Sequence, residues 1–168
     1  MDPLLIWLEQ TSPSVWIRES PAIYAFPGIL VLHTIGMAFL VGTSFAISLR
    51  TFGLAPGLRP EAFLRFVPLM WIGFAVNAGS GAALLLGYPT KALTNPLFYV
   101  KLLLIALALV GLRHLVRNLL RNPELQTTPA TPRLRAIAGA SFFLWVAAIT
   151  SGRFLAYTYT RLLSSDFF

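Results

Sequence analysis

Four long apolar runs, separated by short stretches rich in proline, glycine, threonine and charge, set the pattern of this 168-residue chain. They fall at about residues 21–49, 63–86, 96–117 and 134–157. A hydrocarbon layer about 30 Å thick takes roughly 20 helical residues to cross, because every backbone N–H and C=O inside it must be bonded within the chain. Each run is close to that length or beyond it. The stretches RTFGLAPGLRPE, GYPTKALTN and RNPELQTTPATPR stop helices between the runs, and none is long enough to separate domains. The pattern predicts an all-α fold, a four-transmembrane-helix bundle forming a single integral membrane domain over residues 1–168.

Ahead of the first run, MDPLLIWLEQ lacks the basic start of a signal peptide, carries Asp2 and Glu9, and is expected to stay on the mature protein. Ser12 followed by Pro13 fits a helix N-cap with proline at the first helical position. That predicts a short interfacial helix over Ser14–Ser20, with Trp7 and Trp16 as amphipathic anchors. A partly ordered tail is the other reading.

Composition agrees with the membrane and removes much chemistry. Hydrophobic residues make up 57% of the chain and charged ones 11%. Without cysteine there are no disulfides, thiolate metal sites, iron–sulfur clusters or covalent c-type haem, and two histidines cannot close a four-ligand zinc site. The formal charge of +7 is read as topology and not as nucleic-acid binding. Arg50, Arg59, Arg65, Arg113, Arg117, Arg121, Arg133 and Arg135 flank the first and third loops, whereas the other side holds Arg18, Lys91 and Arg161. By the positive-inside rule both termini are extracytoplasmic, which in a bacterial inner membrane means periplasmic. Arg113, Arg117 and Arg121 form a stripe suited to anionic lipid headgroups.

Two cations remain, Lys101 and Arg153, inside the outer half of the bilayer with no span carboxylate to neutralise them. Such groups mark function or a partner, although a long side chain near a helix end also snorkels to the interface. At about 1.5 Å per residue, His33 lies about 25 Å from Arg50, Lys101 about 24 Å from Arg117, and Arg153 about 27 Å from Arg135. These three share one layer. Asn77 and Ser80, about 18 to 22 Å from Arg65, lie just beneath it, and Tyr157 follows Arg153 by one turn on the same face. Four helices thus send polar groups to a similar depth, as a binding site in a bundle core requires. Taken alone, His33 ordinarily donates a hydrogen bond across the bundle, Met37 packs, and Gly73, Asn77 and Gly81 form a close helix contact. His114 lies about 20 Å below Lys101 on a different face and belongs to the interface.

The motifs LHTIGMAFLVGTSFAISLRTFGL, NPLFYVKLLLIALALVGLRH and GRFLAYTY resemble a family of uncharacterised bacterial four-span membrane proteins over nearly the whole chain. More distantly, His33, Gly42 and Arg50 in the first span and Phe98, Lys101 and His114 in the third resemble HemJ-type protoporphyrinogen oxidases and copper-resistance D-type membrane proteins. In the HemJ type a first-span histidine and a third-span lysine are associated with haem b, and they match His33 and Lys101. The Arg-Asn-Glu-x-Pro signature of that family's fourth span has no counterpart here, so the resemblance implies a haem site and not porphyrinogen oxidation.

On that reading His33 is an axial metal ligand, Lys101 and Arg153 face the propionates or Lys101 ligates iron as a neutral amine, and Tyr157, Ser80 and Asn77 bond propionates or a quinone carbonyl. The expected function is electron transfer near the periplasmic face with a periplasmic redox protein or a larger membrane complex as partner. The other class is a haem-free accessory subunit, or a transport or binding protein, in which Lys101 and Arg153 hold an anionic solute or lipid headgroup. A homo-oligomer can build a pathway in that case. Nucleophilic catalysis lacks support, with no Cys, no G-x-S-x-G motif and no acid at membrane depth to orient His33.

Overall fold

The computed structural model describes residues 3–54, 60–121 and 130–165. Its regular structure is helical throughout, as α1 (Pro3–Glu9), α2 (Ser12–Glu19), α3 (Phe26–Phe52), α4 (Pro60–Leu64), α5 (Val67–Gly87), α6 (Pro89–Leu93), α7 (Pro96–Arg121) and α8 (Pro132–Ser165). Four stretches among the described residues are long and apolar enough to cross a membrane, namely Phe26–Phe52, Ala62–Gly87, Pro96–Leu119 and Pro132–Leu155. The chain is an all-α, multi-pass membrane protein. Arg59 and most of the first and third connecting stretches lie outside the described residues.

Proline and glycine set the helix limits. Pro27 occupies the first turn of α3, where the missing N–H costs no hydrogen bond, so the helix begins at Phe26 and not at residue 21. It runs three residues past Leu49 to a C-cap at Gly53, whose φ of 103° only glycine adopts freely and whose N–H bonds the Leu49 and Arg50 carbonyls. Pro68 likewise opens α5, and its ring and lost donor break the helix between α4 and α5 at Arg65–Phe66. The fourth span meets no proline after Pro132, and α8 continues to Ser165, beyond the expected end at Tyr157. Thr11, one residue earlier than the Ser12-Pro13 pair implied, stands at the N-cap position of α2, its hydroxyl donating to the Leu8 carbonyl and not capping the helix, and α1 precedes it.

In space the long helices follow the order α5, α3, α8, α7. Helices α3 and α5 form one close pair, α7 and α8 another, and α3 against α8 joins them; α5 and α7 make no substantial contact among the described residues. The first pair is held by absent side chains. A Cβ on Gly36 would lie 2.7 Å from both the Asn77 nitrogen and the Gly73 oxygen, and one on Gly73 would lie 2.8 Å from the Phe39 Cβ. Small residues at a crossing allow such backbone approach, which is how helices associate where lipid tails are as apolar as leucine. Asn77 Nδ2 donates to the His33 carbonyl at 2.8 Å across the same crossing.

The buried apolar core is lopsided. Leu40, Val41 and Ile47 of α3 meet Ala108, Leu112 and Leu115 of α7 and Leu134, Ala138 and Trp145 of α8, in the half of the bundle that carries the arginines. No residue of α7 from Pro96 to Leu107 is buried. The opposite half is therefore less tightly closed, and the short helices α1, α2 and α6 lie at its end.

Gly36→Ala is expected to lower the stability of the purified protein by about 1–3 kcal/mol, the usual cost of overpacking. Gly42→Ala is the control, since nothing lies within 4 Å of a Cβ there. Thermal unfolding in detergent compares them, and equal melting of the two variants would show that the α3–α5 crossing tolerates a methyl group.

Candidate functional site

Between the splayed ends of the two helix pairs lies a cavity of about 330 Å³. His33 of α3, Lys101 of α7 and Lys91 of α6 supply its charged and titratable groups, and Phe26, Tyr88 and Phe98 its aromatic walls, with leucines from α3, α5 and α8 between them. The Phe26 and Tyr88 rings meet edge to face with centroids 5.7 Å apart. No carboxylate is among the described residues that line the cavity.

The imidazole of His33 is held in one tautomer by its neighbours. Its Nδ1 lies 3.0 Å from the Asn77 carbonyl oxygen and 3.1 Å from the Ser80 Oγ. A carbonyl can only accept, and the Ser80 hydroxyl proton is directed at the carbonyls of Val76 at 2.6 Å and Asn77 at 3.1 Å. The shorter bond to the Asn77 carbonyl places the proton on Nδ1, since Asn77 Nδ2 lies 3.4 Å from that nitrogen and donates instead to the His33 carbonyl at 2.8 Å, and Nε2 of a neutral ring then keeps its lone pair. This arrangement, one ring N–H on a backbone carbonyl and the other nitrogen open, is the one in which a histidine serves as a metal ligand. Gly81 makes room for it, since a Cβ there would stand 3.2 Å from the His33 Cε1.

Lys101 reaches the same cavity past Gly152 of α8. A Cβ on Gly152 would meet the lysine Cε and Nζ at 3.5 Å, so the glycine lets the stem lie along the helix. The amine has no hydrogen bond or ion pair among the described residues. Such an amine, half-buried in an apolar wall, favours an anionic partner.

The remaining residues of the predicted layer divide. Asn77 and Ser80 support His33 and do not line the cavity. Arg153 follows Gly152 in sequence but is exposed and outside the cavity wall. Tyr157, one turn further on, is 66% exposed on the same outward face. Met37 packs against the core, and His114 is exposed at the arginine-rich end of α7. Lys91, Gly81 and Gly152 enter the site in ways that the pattern of the chain did not indicate. In the sequence Lys91 counts only toward topology, and Gly152 sits unnoticed beside Arg153.

The end of the bundle over the cavity is tied by polar groups. Arg18 of α2 donates to the Gly87 carbonyl at the C-terminus of α5 at 3.1 Å, to the Ser14 Oγ at 2.8 Å and to the Glu9 carbonyl at 2.9 Å. A cation suits a helix C-terminus, where unpaired carbonyls concentrate negative charge. Ile17 packs so closely on Gly87 that a Cβ there would lie 2.7 Å from its Cγ2. Glu9 Oε1 accepts from the Thr90 N–H at 3.2 Å, fastening α6. Asn95, 2% exposed, caps α7 by accepting from the Leu97 N–H at 3.0 Å and donates to the Thr158 hydroxyl of α8 at 2.8 Å.

The residues present fit a group that takes one neutral imidazole on a metal, an apolar aromatic surround and negative charge near an ammonium. No three His, Cys, Asp or Glu side chains gather to hold a bare ion among the described residues.

Replacing Arg18 with Met is expected to destabilise the protein by about 1.5–3 kcal/mol, the range for hydrogen bonds made by a charged group. Glu19→Gln is expected to change little, because that carboxylate meets Arg18 at 3.8 Å while 68% exposed. Paired melting curves measure both. Comparison of the chain with family models, with curated proteins and with solved structures finds no match.

Proposed function

We propose that this protein is a membrane haem b protein that moves electrons near the periplasmic face of a bacterial inner membrane. The observation that carries the reading is His33, whose Nδ1 is held by the Asn77 carbonyl and the Ser80 hydroxyl and whose ring borders a cavity shared with Lys101, with no carboxylate among the described residues that line it. Haem bound there supplies reversible one-electron exchange at iron.

His33 would hold the iron, its basicity raised by the hydrogen bond from Nδ1 to the Asn77 carbonyl. Lys101 and Lys91 would balance carboxylate charge on the guest, a role open to Arg153 only with a change of side-chain direction. Phe26, Tyr88 and Phe98 exclude water and give a flat ring aromatic surfaces to pack on. The arginine distribution supports an orientation with this end extracytoplasmic, facing a periplasmic redox partner or a subunit of a larger complex.

The cavity's 330 Å³, at the small end of ligand pockets, favours a second reading, a haem-free site for the headgroup of an anionic amphiphile. The two readings separate on colour. Protein purified in mild detergent from haem-supplied cells is expected to show a Soret band, lost in His33→Ala and weakened in Lys101→Ala. Colourless protein that an anionic lipid stabilises in the wild type but not in Lys101→Ala would replace the first reading with the second.

A further inference from the structure

The two helix pairs leave one side of the bundle open. Neighbouring helices touch in the order α5, α3, α8, α7, and the ring would close only through α5 against α7, the pair that makes no substantial contact among the described residues. Short helices cross this side at its two ends. At the arginine-rich end α4 lies against α7 and leads into α5, with Phe63 and Leu64 packed on the core, and at the other end α6 bridges α5 and α7. Between these two crossings the bundle has a side window.

The cavity of His33 and Lys101 lies behind this window. It is lined from both sides of the opening, by Leu84 and Leu85 of α5 and by Phe98 and Lys101 of α7, with Lys91 and Ala92 of α6 as a roof. An enclosed cavity has buried walls, yet none of the residues lining this one is buried, and Leu30, on α3 at the back, is 44% exposed. The end of the bundle is better closed than its side. Ile17 packs on Gly87, Arg18 holds the Gly87 carbonyl, and Glu9 accepts from the Thr90 N–H. By helix rise Lys101 and His33 lie about 8 and 10 Å inside the starts of their spans at Pro96 and Phe26, so a side opening at that depth faces lipid and not water.

We propose that the guest of this cavity arrives from the bilayer through the window between α5 and α7, as an amphiphile whose acidic groups turn in under α6 and whose apolar body fills the window. That the guest is haem b rests on the reading above, but the route does not. The lysines set the orientation. Cα–Cβ bonds tilt toward the N-terminus of a helix, so Lys101 leans toward Pro96 and the α6 end, where Lys91 also borders the cavity. Leu84, Leu85 and Phe98 admit an apolar body without loss, whereas a hydrated anion would have to shed its water against them before it met either ammonium. The entrance thus selects molecules already dissolved in lipid.

The chain has no cysteine, so single nitroxide labels report without background. Full-length Leu85→Cys and Leu30→Cys proteins, labelled and reconstituted in phosphatidylcholine vesicles, are compared for collision with oxygen, which concentrates in lipid, and with a water-soluble nickel chelate. Val110→Cys, at a residue 68% exposed within the third span, and Glu19→Cys, at a side chain 68% exposed near the amino-terminal end, give the lipid and water limits. Both cavity labels are expected to show an oxygen-to-nickel ratio close to that of Val110→Cys and several-fold above that of Glu19→Cys. A ratio like that of Glu19→Cys, which means a mouth open to water, or little collision with either reagent, which means a closed side, overturns the proposal. If circular dichroism shows that one labelled variant misfolds, the other decides. Ferric haem added to the vesicles is expected to broaden the spectra of both cavity labels more than that of Val110→Cys. Lipid-like ratios without that broadening leave the route standing and overturn the haem reading alone.

Discussion

The crossing of α3 over α5 at Gly36 and Gly73 is the contact on which the site depends. Where lipid surrounds both partners, burying apolar surface gives helices little reason to associate, and close backbone approach with an interhelical hydrogen bond takes its place. Both are present here. The glycines bring the backbones together, and Asn77 then reaches the His33 carbonyl while its own carbonyl receives the imidazole proton. One residue of α5 thus fixes both the main chain and the ring of His33. A wider crossing would leave the imidazole free to turn and its tautomer undetermined.

Packing and openness are divided between the two halves of the bundle. Leucines, alanines and Trp145 close the arginine-rich half, and the lysines, aromatics and His33 border a cavity in the other. The division follows from helix order. With α5 and α7 held apart by α3 and α8, it is α6 and the two short amino-terminal helices, among the described residues, that close this end. Arg18, Glu9 and Asn95 then do what hydrophobic contact cannot do at a wet boundary, tying short segments to helix ends by charge-assisted and capping hydrogen bonds.

The spans were legible in the sequence because membrane thickness dictates their length, and Pro27, Pro68 and Pro96 moved or marked their starts by rules that hold in any helix. Depth was also legible, since rise per residue is fixed, and His33 and Lys101 do border one cavity. Azimuth was not. Arg153 and Tyr157 share a face as their four-residue spacing requires, yet that face points outward, while Gly152, one step of about 100° away, forms the wall. Asn77 and Ser80 lie at the expected depth but act through His33. Lys91 counted only toward topology because a five-residue helix opened by Pro89 reads as a loop, and the bond from the Thr90 N–H to Glu9 helps hold that helix over the cavity.

Gly152 sets a dimension of the cavity. The lysine stem of α7 lies against bare backbone there, with Cε and Nζ at ordinary contact distance from where a methyl group would begin. Bulk added at that one position would displace the ammonium from α8, changing the gap between cation and imidazole without altering either. The width of the cavity is thereby adjustable through a residue that offers no functional group at all.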